Sequence, residues 1–260
     1  HAETQAVWCG QAAVSAFTRF HPILKNQQLV PGADGIHPVG TTVSMDLRMT
    51  SAEVMLMYPR VLRQEIQAGR RAGLRTEEDR SWAELPTFAR LYHETMARNR
   101  ADSTYLFAME DLARLHSNLG EGARLLLTRL GDEIVAGGIF LISGSWVHAH
   151  LVGTASKHRQ LSPLKVLLDD ARSWAAEAGA VRLHLGGGRG GRNDSLLAFK
   201  ARFSPDRHDF AVGRWVLDAI GYEALLRLRA THLGDQPVDG EFFPAYRAGV
   251  TPSQVERETS

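Results

Sequence analysis

The stretch SPLKVLLDDARSWAAEAGAVRLHLGGGRGGRNDSLLAFK, residues 162–200, decides the fold class because its apolar period changes twice. Leu164, Leu167, Ala171, Trp174 and Ala178 recur at helical spacing and form one buried stripe. Ser162 is a residue type that caps helix N-termini, and Pro163 suits the first helical position, where a missing N–H costs nothing. Gly179 marks the helix end. Residues 181–185 then alternate as a strand, and the glycine-rich loop 186–191 follows. Asn193 or Asp194 supplies the next cap, and Leu196, Phe199 and Phe203 share one face of a second helix. Helix, strand, glycine loop and helix in that order are parts of an α/β sheet protein.

Upstream, strands at 124–130 and 134–143 flank the hairpin turn Gly131-Asp132-Glu133. A third strand, 145–152, sends Val147, Ala149 and Leu151 to one face and Trp146, His148 and His150 to the other. Helices are expected at 82–98, through Leu85, Phe88, Tyr92 and Met96, and at 109–119, through Leu112, Leu115 and Leu119. An earlier helical stretch, 51–72, is interrupted by Pro59 and closed by Gly73. Residues 42–47 read as a short strand, 210–216 as a last strand and 222–231 as a last helix. The N-terminal part offers an apolar anchor at 20–24 and a Pro/Gly loop at 31–40. The expected fold is a mixed sheet flanked by helices.

The 260 residues include 44% hydrophobic and 23% charged side chains, which places the chain among globular proteins and not among disordered ones. The longest apolar run, 134–142, contains two glycines and is too short to span a bilayer, so no stable membrane insertion is expected. The N-terminus lacks the basic start and apolar core of a signal peptide. Cys9 is the only cysteine, which excludes an internal disulfide and a multi-cysteine metal site and fits a reducing cytoplasm. With a net charge of +1, a nucleic-acid site must be a local basic patch.

Four stretches carry a family resemblance. They are residues 42–47 with the later Arg70-Arg71-Ala72-Gly73; His158-Arg159-Gln160-Leu161-Ser162-Pro163; Leu185-Gly186-Gly187-Gly188 followed by residues 195–203, SLLAFKARF; and Phe242-Phe243-Pro244-Ala245-Tyr246-Arg247. In this order, from about 20 to 247, they resemble the Fem family of aminoacyl-tRNA-dependent transferases, whose lobes are GNAT-like. The resemblance implies a partial N-terminal lobe with an Arg-rich helix at 1–75, a GNAT-like transferase lobe at 76–218, and a C-terminal helix and tail at 219–260. It implies amide-bond formation between an amino acid carried on tRNA and the amine of a peptide or small-molecule acceptor, such as a peptidoglycan precursor or a peptide natural product. No cofactor is implied. Cell-wall members use an arginine near the start of the second lobe for acceptor phosphates. The comparable stretch, Tyr105-Leu106-Phe107-Ala108-Met109, has none, which tilts the expectation toward a smaller acceptor without a nucleotide.

An aminoacyl-tRNA is already an activated ester, so the protein must hold the amine against the carbonyl and stabilise the oxyanion. The resemblance assigns this to Lys200, with Phe199 beside it at the tRNA 3′ end; on helix geometry Lys200 lies about 100° from Phe199 and flanks the core. Read without the resemblance, Lys200 is a solvated helix lysine. Gly186, Gly187 and Gly188 open a loop that can bring backbone N–H groups to a phosphate or ester oxygen, or form a plain flexible turn. Arg63 and Arg71 in one basic segment, Arg202 in a second that also holds Arg182, Arg189, Arg192 and Arg207, and Arg159 before the central helix are candidate contacts to tRNA, against the alternative of solvated charged faces. His184, with His148 and His150, lies on a strand and offers a general base or an ordinary neutral histidine. Asp169 and Asp170 either orient an amine or form a surface pair with Arg172.

The rival ligand for such a lobe is acetyl-CoA. GNAT enzymes usually hold its pyrophosphate on a Gly-rich loop at the start of the central helix. The matching place reads Arg159-Gln160-Leu161-Ser162-Pro163-Leu164, which lacks both glycines and has a proline with no N–H.

Overall fold

The structure is a computed structural model that describes residues 13–30, 33–101, 105–233 and 242–249; Cys9 and residues 31–32 of the Pro/Gly loop lie outside them. In chain order the elements are β1 (Ser15–Arg19), β2 (Ile36–Asp46), α1 (Ser51–Met57), α2 (Arg60–Arg71), β3 (Leu74–Glu78), α3 (Leu85–Arg98), α4 (Met109–Leu119), β4 (Ala123–Leu130), β5 (Glu133–Ser143), β6 (Trp146–Thr154), α5 (Pro163–Glu177), β7 (Arg182–Gly187), α6 (Ser195–Ala201), β8 (Arg207–Val216) and α7 (Ala219–Leu233). Contacts divide the chain into a unit of Thr41–His208 and a unit of His1–Gly40 with Asp209–Ser260.

The larger unit is a mixed α/β layer structure. Its strands run in the order β2-β7-β6-β5-β4-β3. All neighbours are antiparallel except β6 and β7, which α5 connects as a parallel crossover. Alternate residues of β4 show why both sheet faces are covered. Leu126 joins the core that α1, α2 and α5 complete with Leu62, Ile66, Leu167 and Ala171, while Leu125 and Leu127 join Phe88, Leu91, Tyr92 and Leu112 of α3 and α4. Val43, Met45, Val54 and Leu62 share the first of these cores with Leu183 and Phe203, so residues 43–66 pack with the strands and helices that follow.

Local chemistry explains the helix ends. Thr50 and Glu53 form a reciprocal capping box at α1, and Pro59 separates α1 from α2. Two local expectations need correction. Ser162 takes left-handed angles (φ 56°, ψ 45°) and makes no side-chain cap; its hydroxyl instead accepts from Lys165 Nζ at 3.3 Å. Val147 and Ala149 face the α5 core, but Leu151 faces the α3 core, because the register slips between Ile139 and Phe140 and leaves His150 without an opposite residue.

Strand β3 escaped the sequence reading because LRTEE has no apolar alternation. It forms at the edge through ladder bonds to β4, the Thr76–Thr128 hydroxyl contact at 2.9 Å and the Glu77–Arg129 ion pair at 2.5 Å. Gly153 on β6 lets α3 lie directly on the strand backbone. A Cβ there would stand 2.6 Å from Tyr92 N and 2.7 Å from the Leu91 carbonyl carbon. We expect Gly153→Ala to destabilise the protein by about 1–3 kcal/mol, measured by urea unfolding, since neither backbone atom can move alone.

In the smaller unit β1 pairs antiparallel with β8, from Ser15↔Val216 to Arg19↔Val212. Tyr222 on α7 stacks with Phe243 at 6.1 Å and meets Tyr246 at 5.3 Å, so the FFPAYR stretch packs as an aromatic cluster.

Candidate acyl-transfer site

Strands β6 and β7 pair only at Trp146↔Arg182, Val147↔Leu183 and His148↔His184. Beyond that point β6 stays with β5 and β7 stays with β2, so the parallel pair parts toward its C-terminal ends. The β2–β7 register also shifts there, from Ser44↔His184 to Val43↔Gly186. Gly186 follows the extra residue with φ +78°, a conformation glycine accepts without a Cβ penalty. A Cβ on Gly186 would lie 3.2 Å from Lys200 Nζ and 4.0 Å from His148 Cε1, so the bare glycine is where lysine and histidine meet.

Helix α6 delivers the lysine. Asp194 caps it by accepting from the N–H groups of Leu196 and Leu197, both at 3.0 Å, and pairs with Arg189 at 2.8 Å. Gly188 permits this turn, because a Cβ would stand 2.0 Å from the Arg192 carbonyl oxygen. Phe199 and Phe203 pack into the core edge to face at 5.5 Å, which leaves Lys200 at the strand opening. Its Nζ donates to the Gly187 carbonyl at 2.7 Å. Desolvation pulls the Lys200 ammonium down to about 8, opposed by the attraction of Asp194. A cation so placed near neutrality is suited to meet charge that develops on a reacting oxygen.

His148 and His184 stand beside it. Their Nδ1 atoms are 2.9 Å apart, and the rings stack at 4.9 Å and 28°. Ser44, opposite His184, bonds His208 Nε2 at 2.7 Å and accepts from Arg182 at 3.2 Å.

The family model described as acetyltransferase (GNAT) domain matches residues 58–201. The chain belongs to this GNAT family. Among solved structures, FemX matches with a TM-score of 0.68 at 14% identity, over 86% of this chain and 77% of that one. The C-terminal DUF2156 domain of an Agrobacterium fabrum protein assigned as a lysylphosphatidylglycerol synthetase matches with a TM-score of 0.57 at 18% identity, over 92% of this chain and 79% of that one. At these identities the likeness is one of fold, and it is the Fem-like GNAT fold that the sequence motifs implied. No curated protein matches. Among the described residues, no helix is long and apolar enough to cross a membrane.

For a GNAT protein, the start of the central helix α5 is unusual. The N–H of Ser162 is used by Arg159 O, those of Lys165 and Val166 point to Ser162 O, and Pro163 has none. Glu65 on α2 stands over this turn, holding Lys165 at 2.5 Å and Arg202 at 2.8 Å. Gly69, one turn on, packs so closely that a Cβ would be 2.8 Å from the Leu161 carbonyl. A diphosphate here would have to compete with Glu65 for Lys165 and Arg202, at a first turn where Pro163 offers no N–H.

The structure therefore brings Lys200, Gly186, Gly187 and His184 together and gives other candidates different surroundings. Arg202 is engaged by Glu65, Arg63 donates to the Met55 carbonyl at 3.0 Å, and Phe199 packs against the core. Arg71, at the end of α2, and Arg159, in the 3-10 turn before α5, are exposed. Asp169 is neither a surface residue nor a free amine ligand. It is buried and accepts from Tyr58 at 2.9 Å, Arg70 at 2.7 Å and Arg172 at 3.4 Å, while Asp170 also holds Arg70. Sequence reading missed Ser44 and His208, for which a lone serine and a lone histidine 164 residues apart give no signal.

Proposed function

We propose that this protein is an aminoacyl-tRNA-dependent aminoacyltransferase that forms an amide bond on the amine of a peptide or small peptide-like acceptor. One observation carries the reading: a desolvated lysine stands at the parting of β6 and β7, while at the start of α5, where a GNAT enzyme would hold a diphosphate, Pro163 has no N–H, the Ser162 N–H is used by Arg159 O and Glu65 pairs with Lys165. The acyl group then reaches the opening on a carrier other than coenzyme A. The Fem resemblance supplies that carrier as tRNA, whose ester needs no further activation. Lys200 faces the ester carbonyl and stabilises its oxyanion as the amine adds. Exposed Arg71 and Arg159 are the described candidates for phosphate contact.

Purified protein mixed with charged tRNA pools and amine acceptors is expected to give an amide product by mass spectrometry that disappears after RNase treatment. Product that forms equally well after RNase, or only with acetyl-CoA, assigns the protein to the acetyl-CoA branch instead.

A further inference from the structure

The 3-10 turn Ser156–Leu161, between β6 and α5, carries three basic residues with unequal partners. Lys157 and His158 both reach Glu133, at 2.6 Å and 3.1 Å. Arg159 is exposed, and its guanidinium makes no hydrogen bond or ion pair with a described residue. A second arginine is fastened to the same turn. Arg98, the last residue of α3, is half-buried. Its Nη1 donates to Ser156 Oγ at 2.9 Å and Thr154 O at 3.4 Å, and its Nη2 to Thr95 Oγ1 at 3.1 Å and Thr154 Oγ1 at 3.2 Å. All four acceptors are neutral. The acid that acts on Arg98 is Glu94, whose Oε1 already accepts from Ser156 N at 2.8 Å.

Side chains three residues apart eclipse in a 3-10 helix, so Arg159 stands over Ser156, the residue that Arg98 holds. The two guanidinium groups are thereby gathered at one turn with no carboxylate in ion-pair reach of either among the described residues. Burial, and then the charge of Arg159, hold Arg98 below its ordinary arginine value, with Glu94 acting the other way. Like charges gathered in this way repel, and an anion that bridges them turns the repulsion into attraction.

We propose that Arg98 and Arg159 form a clamp for a phosphate of the RNA that carries the acyl group. The proposal rests on the function proposed above and says where the RNA backbone is held. Arg98, locked by its four bonds, supplies a fixed positive charge. Arg159 supplies the free planar fork, whose N–H groups match phosphate oxygens in pairs. The clamp is set apart from the Lys165–Glu65–Arg202 cluster, because α3 covers the sheet face opposite to α2. It is also set back from the Lys200 opening. From His148, at the parting of β6 and β7, to Thr154 the strand runs six residues, about 20 Å at about 3.3 Å each. With about 3.4 Å of rise per nucleotide along a strand, the clamp meets a phosphate several nucleotides before the ester. It therefore holds backbone and is indifferent to base sequence.

The test is fluorescence anisotropy with a labelled RNA hairpin that ends in the single-stranded 3′-CCA of tRNA, titrated at several salt concentrations. The proteins are wild type, Arg159→Ala, Arg159→Glu, Arg98→Gln and, as a charge-matched control, Arg114→Ala on α4, where the arginine is 67% exposed. Arg159→Ala should bind about 10-fold more weakly, and the slope of log affinity against log salt should fall by about one. Arg159→Glu should be weaker still, and Arg114→Ala should match wild type. Because Arg159 is exposed, its variants keep the fold. In the Arg98→Gln background, Arg159→Ala should cost less than it does in wild type, the mark of a shared phosphate. Should Arg98→Gln fail to fold, the two Arg159 variants and the control decide alone. Wild-type RNA binding that Arg159→Ala and Arg159→Glu leave unchanged overturns the clamp and leaves the tRNA reading standing. No RNA binding by wild type overturns both. Saturable coenzyme A binding that the Arg159 variants abolish also overturns the clamp, since the pair then serves a diphosphate.

Discussion

Lys200→Met is expected to lower turnover by about 10²–10³-fold while making the protein more stable at pH 7. On the proposed role of Lys200, the loss follows from removing the donor to the developing oxyanion, a contact formed most strongly in the transition state. The gain follows from burial. Lys200 titrates near 8 instead of 10.5 because desolvation disfavours its ammonium. Between those values the unfolded chain binds more protons than the folded one, so stability rises with pH through the window from about 8 to 10.5. Below it the full penalty of holding the charge is present, of order 3 kcal/mol at about 1.4 kcal/mol per unit. Methionine removes that penalty but also the bond to Gly187 O, worth about 1 kcal/mol. A net gain of about 1–2 kcal/mol in urea unfolding at pH 7, shrinking as the pH is raised past 8, is the expected signature. A solvated helix lysine would give neither the activity loss nor the pH-dependent gain.

Asp169→Ala is expected to cost about 3–5 kcal/mol, enough to leave much of the protein unfolded at physiological temperature. Asp169 is 1% exposed and links α1–α2 to α5 by accepting from the Tyr58 hydroxyl, Arg70 and Arg172. Removing it takes the counter-charge from the Arg172 guanidinium, itself 3% exposed, and leaves it with the neutral hydroxyls of Ser51 and Ser173. Asp169→Asn keeps the shape and one acceptor and should cost less. A thermal melt of both variants separates the lost charge from lost packing.

The sequence made the architecture legible where local period and capping agree. The α5 stripe, the hairpin at Gly131, the break at Pro59 and the Asp194 cap all depend on residues within a few positions of one another. It was mute where long-range pairing decides. The Glu65 carboxylate that holds Arg202 is 137 residues away in sequence, so the arginine looked available for phosphate. Asp169 and Tyr58 are 111 residues apart, so the aspartate looked like half of a surface pair. The slip at His150 turned Leu151 to the other core, which strict alternation cannot foresee. At the site, Lys200 and the glycine run carried the family motif, but the reason they belong together is a register shift that puts Gly186 in a left-handed turn beside the lysine. His148 and His184 were visible as strand histidines; that they share a bond depends on three residues of parallel pairing.

The central claim is that the start of α5 cannot hold a diphosphate and that the acyl donor arrives on RNA. Titration calorimetry tests it most directly, with acetyl-CoA in one cell and a non-hydrolysable aminoacylated tRNA 3′-end mimic in the other. The account predicts heat and saturation with the RNA mimic, weakened by salt, and no saturable binding of acetyl-CoA. Tight acetyl-CoA binding with no response to the mimic would contradict it.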